Sequence, residues 1–318
     1  MTGIRTLRIM IHDRYEPGDV AVIHPYAPSA EVESFLISMG YSNIADEPYE
    51  IRHNLPDQSL PDHLPSTITL RESRTGETRR VSLREGADEL YEYCQRVRRT
   101  IREVMEEFRN CKIPKEYIFD VFPHLRPREF SIASSVIRHP RRVELCIAIV
   151  QYRTKLRIPR KGVATTYLAS LQPGDKIPVG IKKGGLISLP KDVHVPIICI
   201  GPGTGIAPAR SIIEQRVLQG SNENTLYQGC RSATKDQHYR SEFENLASQG
   251  HIVYRVACSR DSPEGVKRTY VQDLIAQDSE RIWELVGQKN AWVFISGYVP
   301  HAGFLYSLLI FSPHKIIK

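Results

Sequence analysis

The sequence predicts an α/β protein of two domains, an antiparallel β-barrel followed by a doubly wound parallel sheet. Two observations lead to this prediction. Short apolar strands separated by turns fill the first part of the chain, whereas from residue 193 onward apolar strands alternate with helical segments. A chain of 318 residues is long enough to bury two cores. We place the boundary between the domains near Pro190.

Strand and turn patterns identify the first domain, which we place at residues 1–190. Pro-Gly-Asp turns precede alternating apolar residues at 16–25 and again at 172–181. Apolar residues also alternate within 142–152, which is the period of a strand with one buried face. Several short strands linked by turns are typical of a small antiparallel barrel.

A helical insertion interrupts this barrel at about residues 26–120. Residues 53–86 are rich in proline, serine and charge, and apolar residues at helical spacing follow from about Ala87 to Arg109. This spacing predicts one amphipathic helix that packs through its apolar face.

The second domain, at residues 191–297, begins with the apolar strand 195–200 and the turn GPGTGIAPAR at 201–210. In an open parallel sheet, the first turn from strand to helix is the usual phosphate cradle. Glycines there permit close approach to the backbone, and amides at a helix start attract a pyrophosphate. Tight packing of strand against helix would need the same glycines, so both interpretations stay open. The turn lacks the Gly-Lys-Ser/Thr sequence that ends a P-loop, which argues against a nucleotidase of that class.

Hydroxyl and basic side chains follow the third strand of this sheet, at the same edge as the glycine turn. They are Ser259, Arg260, Lys267 and Arg268. Charge-assisted hydrogen bonds from such a cluster suit the 2'-phosphate that distinguishes NADPH from NADH. A solvated basic loop is the alternative interpretation.

Two segments of the first domain carry residues that suit a flavin. The guanidinium of Arg128 suits a pyrophosphate, the ring of Phe130 suits stacking on a flat ring such as a flavin, and the Ser131 hydroxyl suits a hydrogen bond to that ring. Gly162 and Thr165 stand at another helix start, a second place for phosphate amides. Taken separately, either segment could be ordinary barrel structure.

Composition limits the class of partner and compartment. The formal net charge of +7 and the pI of about 9.0 favour anionic partners, but no motif of interleaved aromatic and basic residues is present, so nucleic-acid binding is not expected. Six cysteines without a C-x-x-C pair favour a reducing compartment. The apolar run at 304–311 is well short of the ~20 residues that cross a bilayer. We therefore expect a cytoplasmic protein without a membrane span.

These segments occur together in the order typical of the ferredoxin-NADP reductase superfamily. RPREFSIASS, KGVATTYLASLQPGDKIPV, CIGPGTGIAPARSIIEQR, YQGCRSATKDQHYRSEF and SRDSPEGVKRTYVQDL resemble its FAD, NADPH-pyrophosphate and 2'-phosphate motifs, over about residues 17–297. DELYEYCQRVRRTIREVMEEF and IPKEYIFDVFPHLRPREFSIAS are most similar to its NADPH-dependent diflavin branch, which serves cytosolic iron-sulfur assembly.

The resemblance implies an oxidoreductase that moves a hydride from NADPH to FAD and passes electrons onward. It implies an FAD-binding barrel of the ferredoxin reductase type, an NADP-binding domain and no metal. FMN belongs to full-length relatives and is not expected on this chain. The implied electron acceptors are an FMN domain or an iron-sulfur scaffold protein of the anamorsin type.

The resemblance also implies roles for individual residues. FAD would be held by Arg128, Phe130 and Ser131, with Ser131 near the flavin nitrogen that receives the hydride, and by Gly162, Val163, Ala164 and Thr165 at its pyrophosphate. The NADPH pyrophosphate would lie on Gly203, Thr204 and Gly205 with Arg231 nearby, and the 2'-phosphate on Ser259 and Arg260, joined by Lys267 or Arg268. Tyr270 would flank the adenine-ribose end. Ser296 would help to position the nicotinamide, although a polar strand end is an equal interpretation of that residue.

Three departures from the family pattern bear on activity. By comparison with the family, we expect the chain to lack the FMN-binding domain and to have a shortened connecting region around residues 70–83. We also expect an atypical tail at 298–318 in place of the last helix, the last strand and the aromatic cover of the flavin. These departures make a catalytically defective FAD- or nucleotide-binding protein the alternative to an active enzyme.

Overall fold

The computed structural model describes residues 4–52, 66–71, 91–108, 113–114, 117–121, 125–157, 159–184, 187–261, 263, 266 and 268–297. These residues form two units. The first holds the described residues of 23–128 and 150–178, and the second holds those of 2–22, 129–149 and 179–318. The tail at 298–318 and most of the segment at 53–86, on which the sequence made predictions, lie outside the described residues.

The described strands are β1 (Ile4–Met10), β2 (Val20–Ile23), β3 (Pro48–Glu50), β4 (Thr67–Thr69), β5 (Arg128–Ser131), β6 (Arg142–Ala148), β7 (Gln151–Tyr152), β8 (Arg160–Lys161), β9 (Val179–Lys182), β10 (Ile197–Pro202), β11 (Asn224–Cys230), β12 (Val253–Cys258) and β13 (Trp292–Ile295). The described α-helices are α1 (Ser29–Met39), α2 (Ile101–Glu107), α3 (Ile118–Val121), α4 (Val163–Ser170), α5 (Ile206–Leu218), α6 (Arg240–Ser248), α7 (Val271–Gln277) and α8 (Ser279–Trp283).

A parallel sheet forms the core of the second unit. Its strand order is β12-β11-β10-β13, and every neighbouring pair is parallel, which confirms the predicted parallel sheet. Ile197 and Cys199 of the central strand β10 pack on one face with residues of α5 and α6, whereas Ile198 and Ile200 pack on the other face with residues of α7 and α8. Helices therefore cover both faces of the sheet, and for this reason β10 is apolar along its length.

The described strands of the first 190 residues form several small sheets, in which the pairs β1–β6, β3–β4 and β7–β8 are antiparallel. β1 pairs with β6, from Ile4 opposite Ala148 to Met10 opposite Arg142. A three-stranded sheet has the order β5-β2-β9, and β3–β4 and β7–β8 form two further antiparallel pairs. Antiparallel pairing is confirmed, while closure of these sheets into one barrel stays a prediction.

The prediction of a single amphipathic helix from Ala87 to Arg109 is wrong. Residues Tyr91–Gln95 form a π-helical turn, the chain then leaves helical geometry at Arg98, whose φ is +58°, and α2 begins at Ile101.

A capping box explains why α2 begins where it does. The Thr100 hydroxyl accepts from the N–H of Glu103 at 3.1 Å, and the Glu103 carboxylate accepts from the N–H of Thr100 at 2.8 Å. These bonds satisfy two N–H groups at a helix start, so they favour a new helix at this point over continuation of the previous turn. Helical periodicity alone does not reveal such a restart, because the apolar spacing runs through it.

Within the described ranges, every helix is too short or too polar to traverse a lipid bilayer.

Candidate functional site

The glycine turn joins β10 to α5. β10 ends at Pro202, Gly203–Gly205 form one turn of 3-10 helix, and α5 begins at Ile206. The φ of Gly203 is +59°, and a Cβ at this residue would meet no atom within 4 Å. The turn therefore needs glycine for its backbone conformation and leaves open space beside the start of a 13-residue helix. Amides at such a helix start favour a bound anion.

Gly201 and Gly205 satisfy a different requirement, which is close packing. A Cβ at Gly205 would overlap the carbonyl oxygen of Ser296, and a Cβ at Gly201 would lie 2.9 Å from the carbonyl oxygen of Gly205. The end of β13 can approach the turn because Gly205 lacks a side chain, and the start of α5 can pack against β10 because Gly201 lacks one. Of the two interpretations that the sequence left open, ligand approach suits Gly203, and tight packing suits Gly201 and Gly205.

Ser296 lies where the chain leaves β13 and passes the glycine turn. Its N–H donates to the carbonyl of Ile200 at 3.0 Å, which extends the pairing of β10 with β13 by one hydrogen bond. Its side chain is half-buried. The structure thus brings the backbone of Ser296 against the glycine turn, while the role of its side chain toward nicotinamide stays a prediction.

The loops that follow β11 and β12 are joined by backbone hydrogen bonds. The N–H of Ser259 donates to the carbonyl of Cys230 at 3.0 Å, and the N–H of Arg260 donates to the carbonyl of Arg231 at 2.8 Å. Ser259 is half-buried and Arg260 is exposed. Three predicted NADPH residues, Arg231, Ser259 and Arg260, are therefore neighbours at the carboxyl ends of adjacent strands.

Asp236 holds the loop after β11 in place. Its carboxylate accepts from the N–H of Ser232 at 2.7 Å, from the N–H of Arg231 at 3.0 Å and from Nε of Arg231 at 2.8 Å. Burial raises the pKa of Asp236, but these hydrogen bonds and the charge of Arg231 outweigh it and hold the pKa below its usual value. The Arg231 guanidinium is consequently oriented by an ion pair before any ligand binds.

The remaining predicted residues of the NADPH site lie before α7. Arg268 and Tyr270 are exposed, and the N–H of Tyr270 donates to the Asp273 carboxylate at 2.8 Å, which caps the start of the helix. Lys267 lies outside the described residues. The choice between Lys267 and Arg268 as the additional phosphate ligand stays open.

The predicted flavin residues of β5 are divided between the two units. Arg128 belongs to the first unit, is exposed, and donates to the carbonyl of Arg126 at 2.6 Å. Phe130 and Ser131 belong to the second unit, where Phe130 is half-buried and Ser131 is exposed. An exposed arginine, an accessible ring and an accessible hydroxyl are compatible with contact to a ligand.

The chain that continues from Ser131 is bonded to the helix that starts at the glycine turn. The Ser211 hydroxyl of α5 donates to the carbonyl of Ser134 at 2.7 Å, and the N–H of Ser135 donates to the Glu214 carboxylate at 2.7 Å. Ser134, Ser135 and Ser211 are fully buried. Within the second unit, buried hydrogen bonds therefore connect the segment that follows β5 to α5, a few residues from Ser131.

Arg210 is the centre of this connection, and sequence reasoning missed it. Its guanidinium donates to the carbonyl of Ala133 at 2.7 Å, to Glu144 of β6 at 3.0 Å and to Glu242 of α6 at 2.9 Å. Burial raises the pKa of Glu144, but the charges of Arg210 and Arg8 hold it below its usual range. Arg210 lies 66 residues from Glu144 and 77 residues from Ala133 in the chain, so only the fold reveals this network.

The predicted FAD pyrophosphate loop opens α4. The Thr165 hydroxyl accepts from the N–H of Val150 at 3.1 Å and donates to the carbonyl of Gly162 at 3.3 Å. A Cβ at Gly162 would lie 2.7 Å from that hydroxyl and 2.8 Å from the Cβ of Val150. Gly162 and Thr165 therefore shape the loop through internal bonds, which leaves the amides of Val163 and Ala164 at the helix start as the groups suited to a phosphate.

Arg160, two residues before this loop, is a second residue that sequence reasoning missed. Its side chain is 10% exposed, and Nη1 donates to both carboxylate oxygens of Glu103 at 2.7 and 2.8 Å. Its Nε and Nη2 atoms are buried and have no hydrogen-bond partner among the described residues. A buried donor without a partner costs about 1–3 kcal/mol. Unsatisfied donors two residues before the predicted pyrophosphate loop suit a bound anion, so Arg160 is a candidate ligand at this helix start. The basic pair of Arg160 and Lys161, at the start of RKGVATT, was the available signal.

Two protein-family models match the chain. The FAD binding domain matches residues 71–167, and the oxidoreductase NAD-binding domain matches residues 199–303. The chain is 39% identical to the NADPH-dependent diflavin oxidoreductase 1 of Cryptococcus neoformans var. neoformans serotype D (strain JEC21 / ATCC MYA-565), over 89% of this chain and 50% of that relative. It is 34% identical to the protein of the same name from Xenopus laevis, over 89% of this chain and 52% of the relative. The chain thus spans about half the length of these curated relatives.

We predict that Gly205→Ala destabilises the second unit more than Gly203→Ala does. The first change forces a Cβ against the Ser296 carbonyl and should cost about 2–3 kcal/mol. The second only places alanine at positive φ and should cost about 1–2 kcal/mol. The chain has two tryptophans, Trp283 and Trp292, and both belong to the second unit, so urea unfolding followed by tryptophan fluorescence measures its stability. Equal losses in the two variants would contradict the packing role of Gly205.

We predict that Asp236→Asn reduces the stability of the second unit by about 1–2 kcal/mol at pH 7, because charge-assisted hydrogen bonds are lost. The pKa of Asp236 is depressed in the folded state, so its contribution is complete above its unfolded pKa of about 3.9 and is lost as the pH falls through the lower folded pKa. The difference between the variant and the parent chain should narrow below about pH 4. Urea midpoints between pH 7 and pH 3 measure this, with the exposed Asp192→Asn as the matched control. A difference that is independent of pH would show that the carboxylate is not the cause.

Proposed function

The chain belongs to the NADPH-dependent diflavin oxidoreductase family, and on this premise we propose that it is the flavoprotein reductase part of such an enzyme. It would take a hydride from NADPH onto FAD and pass electrons onward. One observation carries the proposal beyond family membership: the chain that continues from the flavin strand is hydrogen-bonded to the helix that starts at the glycine turn. Hydride transfer requires two cofactors at short range, and this connection supports a short distance between Ser131 and the glycine turn within the second unit.

For NADPH, we assign binding to the carboxyl ends of β10, β11 and β12. Gly203 and Thr204 would present backbone amides to the pyrophosphate, while Gly205 permits the turn to pack against Ser296. Ser259 and Arg260 would bind the 2'-phosphate, with Arg231 held beside them by Asp236. The other predicted contributors are Lys267 or Arg268 at the phosphate, Tyr270 at the adenine-ribose end and Ser296 at the nicotinamide.

For FAD, we assign Arg128, Phe130 and Ser131 as predicted, and we place the pyrophosphate on the start of α4. Val163 and Ala164 would contribute amides there, whereas Gly162 and Thr165 would maintain the shape of the loop. Arg160 would give its two unsatisfied donors to the same phosphates. FAD, when bound, accepts a hydride and can release the electrons singly. The Ser131 hydroxyl would donate a hydrogen bond at the flavin nitrogen that receives the hydride.

The electron acceptor follows from the resemblance alone. We propose an FMN domain or an iron-sulfur scaffold protein of the anamorsin type as the acceptor, with the cytoplasm as the compartment. The domain limits 1–190 and 191–297 stay predictions, because β1, β2, β6 and β9 of the predicted barrel share a contact unit with the nucleotide sheet.

We predict that the purified chain binds FAD, turns yellow, and is bleached by NADPH in the absence of oxygen. NADH should bleach the flavin only at a much higher concentration than NADPH, because it lacks the 2'-phosphate. Arg260→Ala should raise the NADPH concentration for half-maximal bleaching by at least ~10-fold, because the loss of one charge-assisted hydrogen bond weakens binding by about that factor. The same change should leave the response to NADH unchanged. Absorption spectra during titration with each nucleotide give this result. A yellow chain that is indifferent to NADPH would support the catalytically defective binder instead, and a folded but colourless chain would contradict both.

We predict that Arg160→Lys weakens FAD binding by about 10-fold or more, because lysine keeps the charge beside Glu103 but lacks the two further donors. Titration of FAD fluorescence against the apoprotein measures affinity without turnover. Arg157→Lys, at an exposed position three residues earlier, is the matched control. If both variants bind FAD equally well, Arg160 has no part in the site.

A further inference from the structure

Two cysteines lie next to each other at the carboxyl ends of neighbouring strands in the parallel sheet. Cys230 is the last residue of β11, Cys258 is the last residue of β12, and the two are register partners. Their Sγ atoms lie 3.3 Å apart. Cys230 is 8% exposed and Cys258 is half-buried, so a small reagent has access to one thiol of the pair.

The geometry of neighbouring strands suits a bond between these sulfurs. Adjacent strands lie about 4.8 Å apart, which is within the range of Cα separations that disulfides span, roughly 4.4–6.8 Å. Register partners point to the same face of a sheet, so the two side chains already face one another. The sulfurs need to approach from 3.3 Å to a bond length of about 2.05 Å, which side-chain rotation can supply.

We propose that Cys230 and Cys258 form a redox-active dithiol, which a small disulfide such as oxidised glutathione converts to an intrachain disulfide. The thiolate of Cys258 attacks one sulfur of the reagent, forms a mixed disulfide and releases one reduced glutathione. The thiolate of Cys230 then attacks Sγ of Cys258, the mixed disulfide breaks, and the second glutathione leaves. The two protein thiols lose two electrons, and the two protons pass to the released glutathione thiolates, so the exchange is balanced.

The environments of the two thiols determine the order of attack. Burial and the neighbouring Cys258 raise the pKa of Cys230, which disfavours its thiolate, and its low exposure hinders access of a bulky reagent. Cys258 is the more accessible thiol and therefore attacks the reagent first. Cys230 acts afterwards as the resolving thiol, since intramolecular attack at short range compensates for its low thiolate fraction.

The position of the pair distinguishes it from the remaining described cysteines. Cys199 is completely buried and Cys146 is 6% exposed, so both are shielded from a reagent, and Cys94 belongs to the first unit. A disulfide between Cys230 and Cys258 would reinforce the hydrogen bond from the N–H of Ser259 to the carbonyl of Cys230, and would hold the loops after β11 and β12 together.

The test is to incubate the full chain with oxidised glutathione, count the free thiols in denaturant, and map the peptides without reduction. Of the six thiols, two should be lost, with Cys230 and Cys258 recovered in one linked peptide pair, and dithiothreitol should restore both. Cys230→Ser should stop the reaction at one bound glutathione on Cys258, whereas Cys258→Ser should abolish the linkage. Cys94→Ser, the matched control, should still lose two thiols.

Three results would overturn the proposal. They are retention of all thiols in the parent chain, a mixed disulfide that never resolves, and a linkage that joins either cysteine to another residue, including Cys111, which lies outside the described residues. The parent chain alone yields each of these results, so poor folding of a serine variant does not remove the test.

Discussion

The arrangement of the second unit depends on the hydrogen bonds and ion pairs of the buried Arg210 guanidinium. A charge removed from water is tolerated only with partners, and breaking a buried pair by removing one partner costs about 3–5 kcal/mol. Arg210 meets this requirement with the carbonyl of Ala133 and the carboxylates of Glu144 and Glu242. These groups come from the segment that follows β5, from β6 and from α6. One side chain in the first turns of α5 therefore sets the distance between the nucleotide helix and the flavin strand.

Small residues allow the strand ends to meet at one edge of the sheet. Gly205 makes room for the carbonyl of Ser296, and backbone hydrogen bonds link the loops that carry Arg231 and Arg260. This edge consequently gathers the turn, the hydroxyls and the basic side chains that a phosphorylated nucleotide needs. The same convergence places Cys230 and Cys258 in contact, so the geometry that suits NADPH binding also creates a pair of thiols.

Local patterns in the sequence were sufficient for part of the fold and misleading for another part. Continuous apolar runs followed by helical spacing predicted the parallel sheet correctly, because both faces of its strands are covered by helices. The long amphipathic helix was predicted incorrectly, because apolar periodicity continued across a break that the capping pair Thr100 and Glu103 creates. Hydrogen-bonding groups that terminate or restart a helix contribute little to an apolar pattern.

By itself, the sequence determined the family and the parallel sheet, and it predicted the glycine, serine and arginine residues proposed to bind two nucleotide cofactors. The sheet follows from apolar periodicity, whereas the family follows from the resemblance of several short motifs, and both features are local in the chain. The tertiary structure decided that Gly205 serves packing whereas Gly203 leaves space for a ligand, and that Arg160 holds buried donors without partners. It also brought Arg210 into contact with Glu144, and Cys230 into contact with Cys258. Such pairs are separated widely in the chain, and only the folding of strands and helices against one another fixes the distances between their atoms.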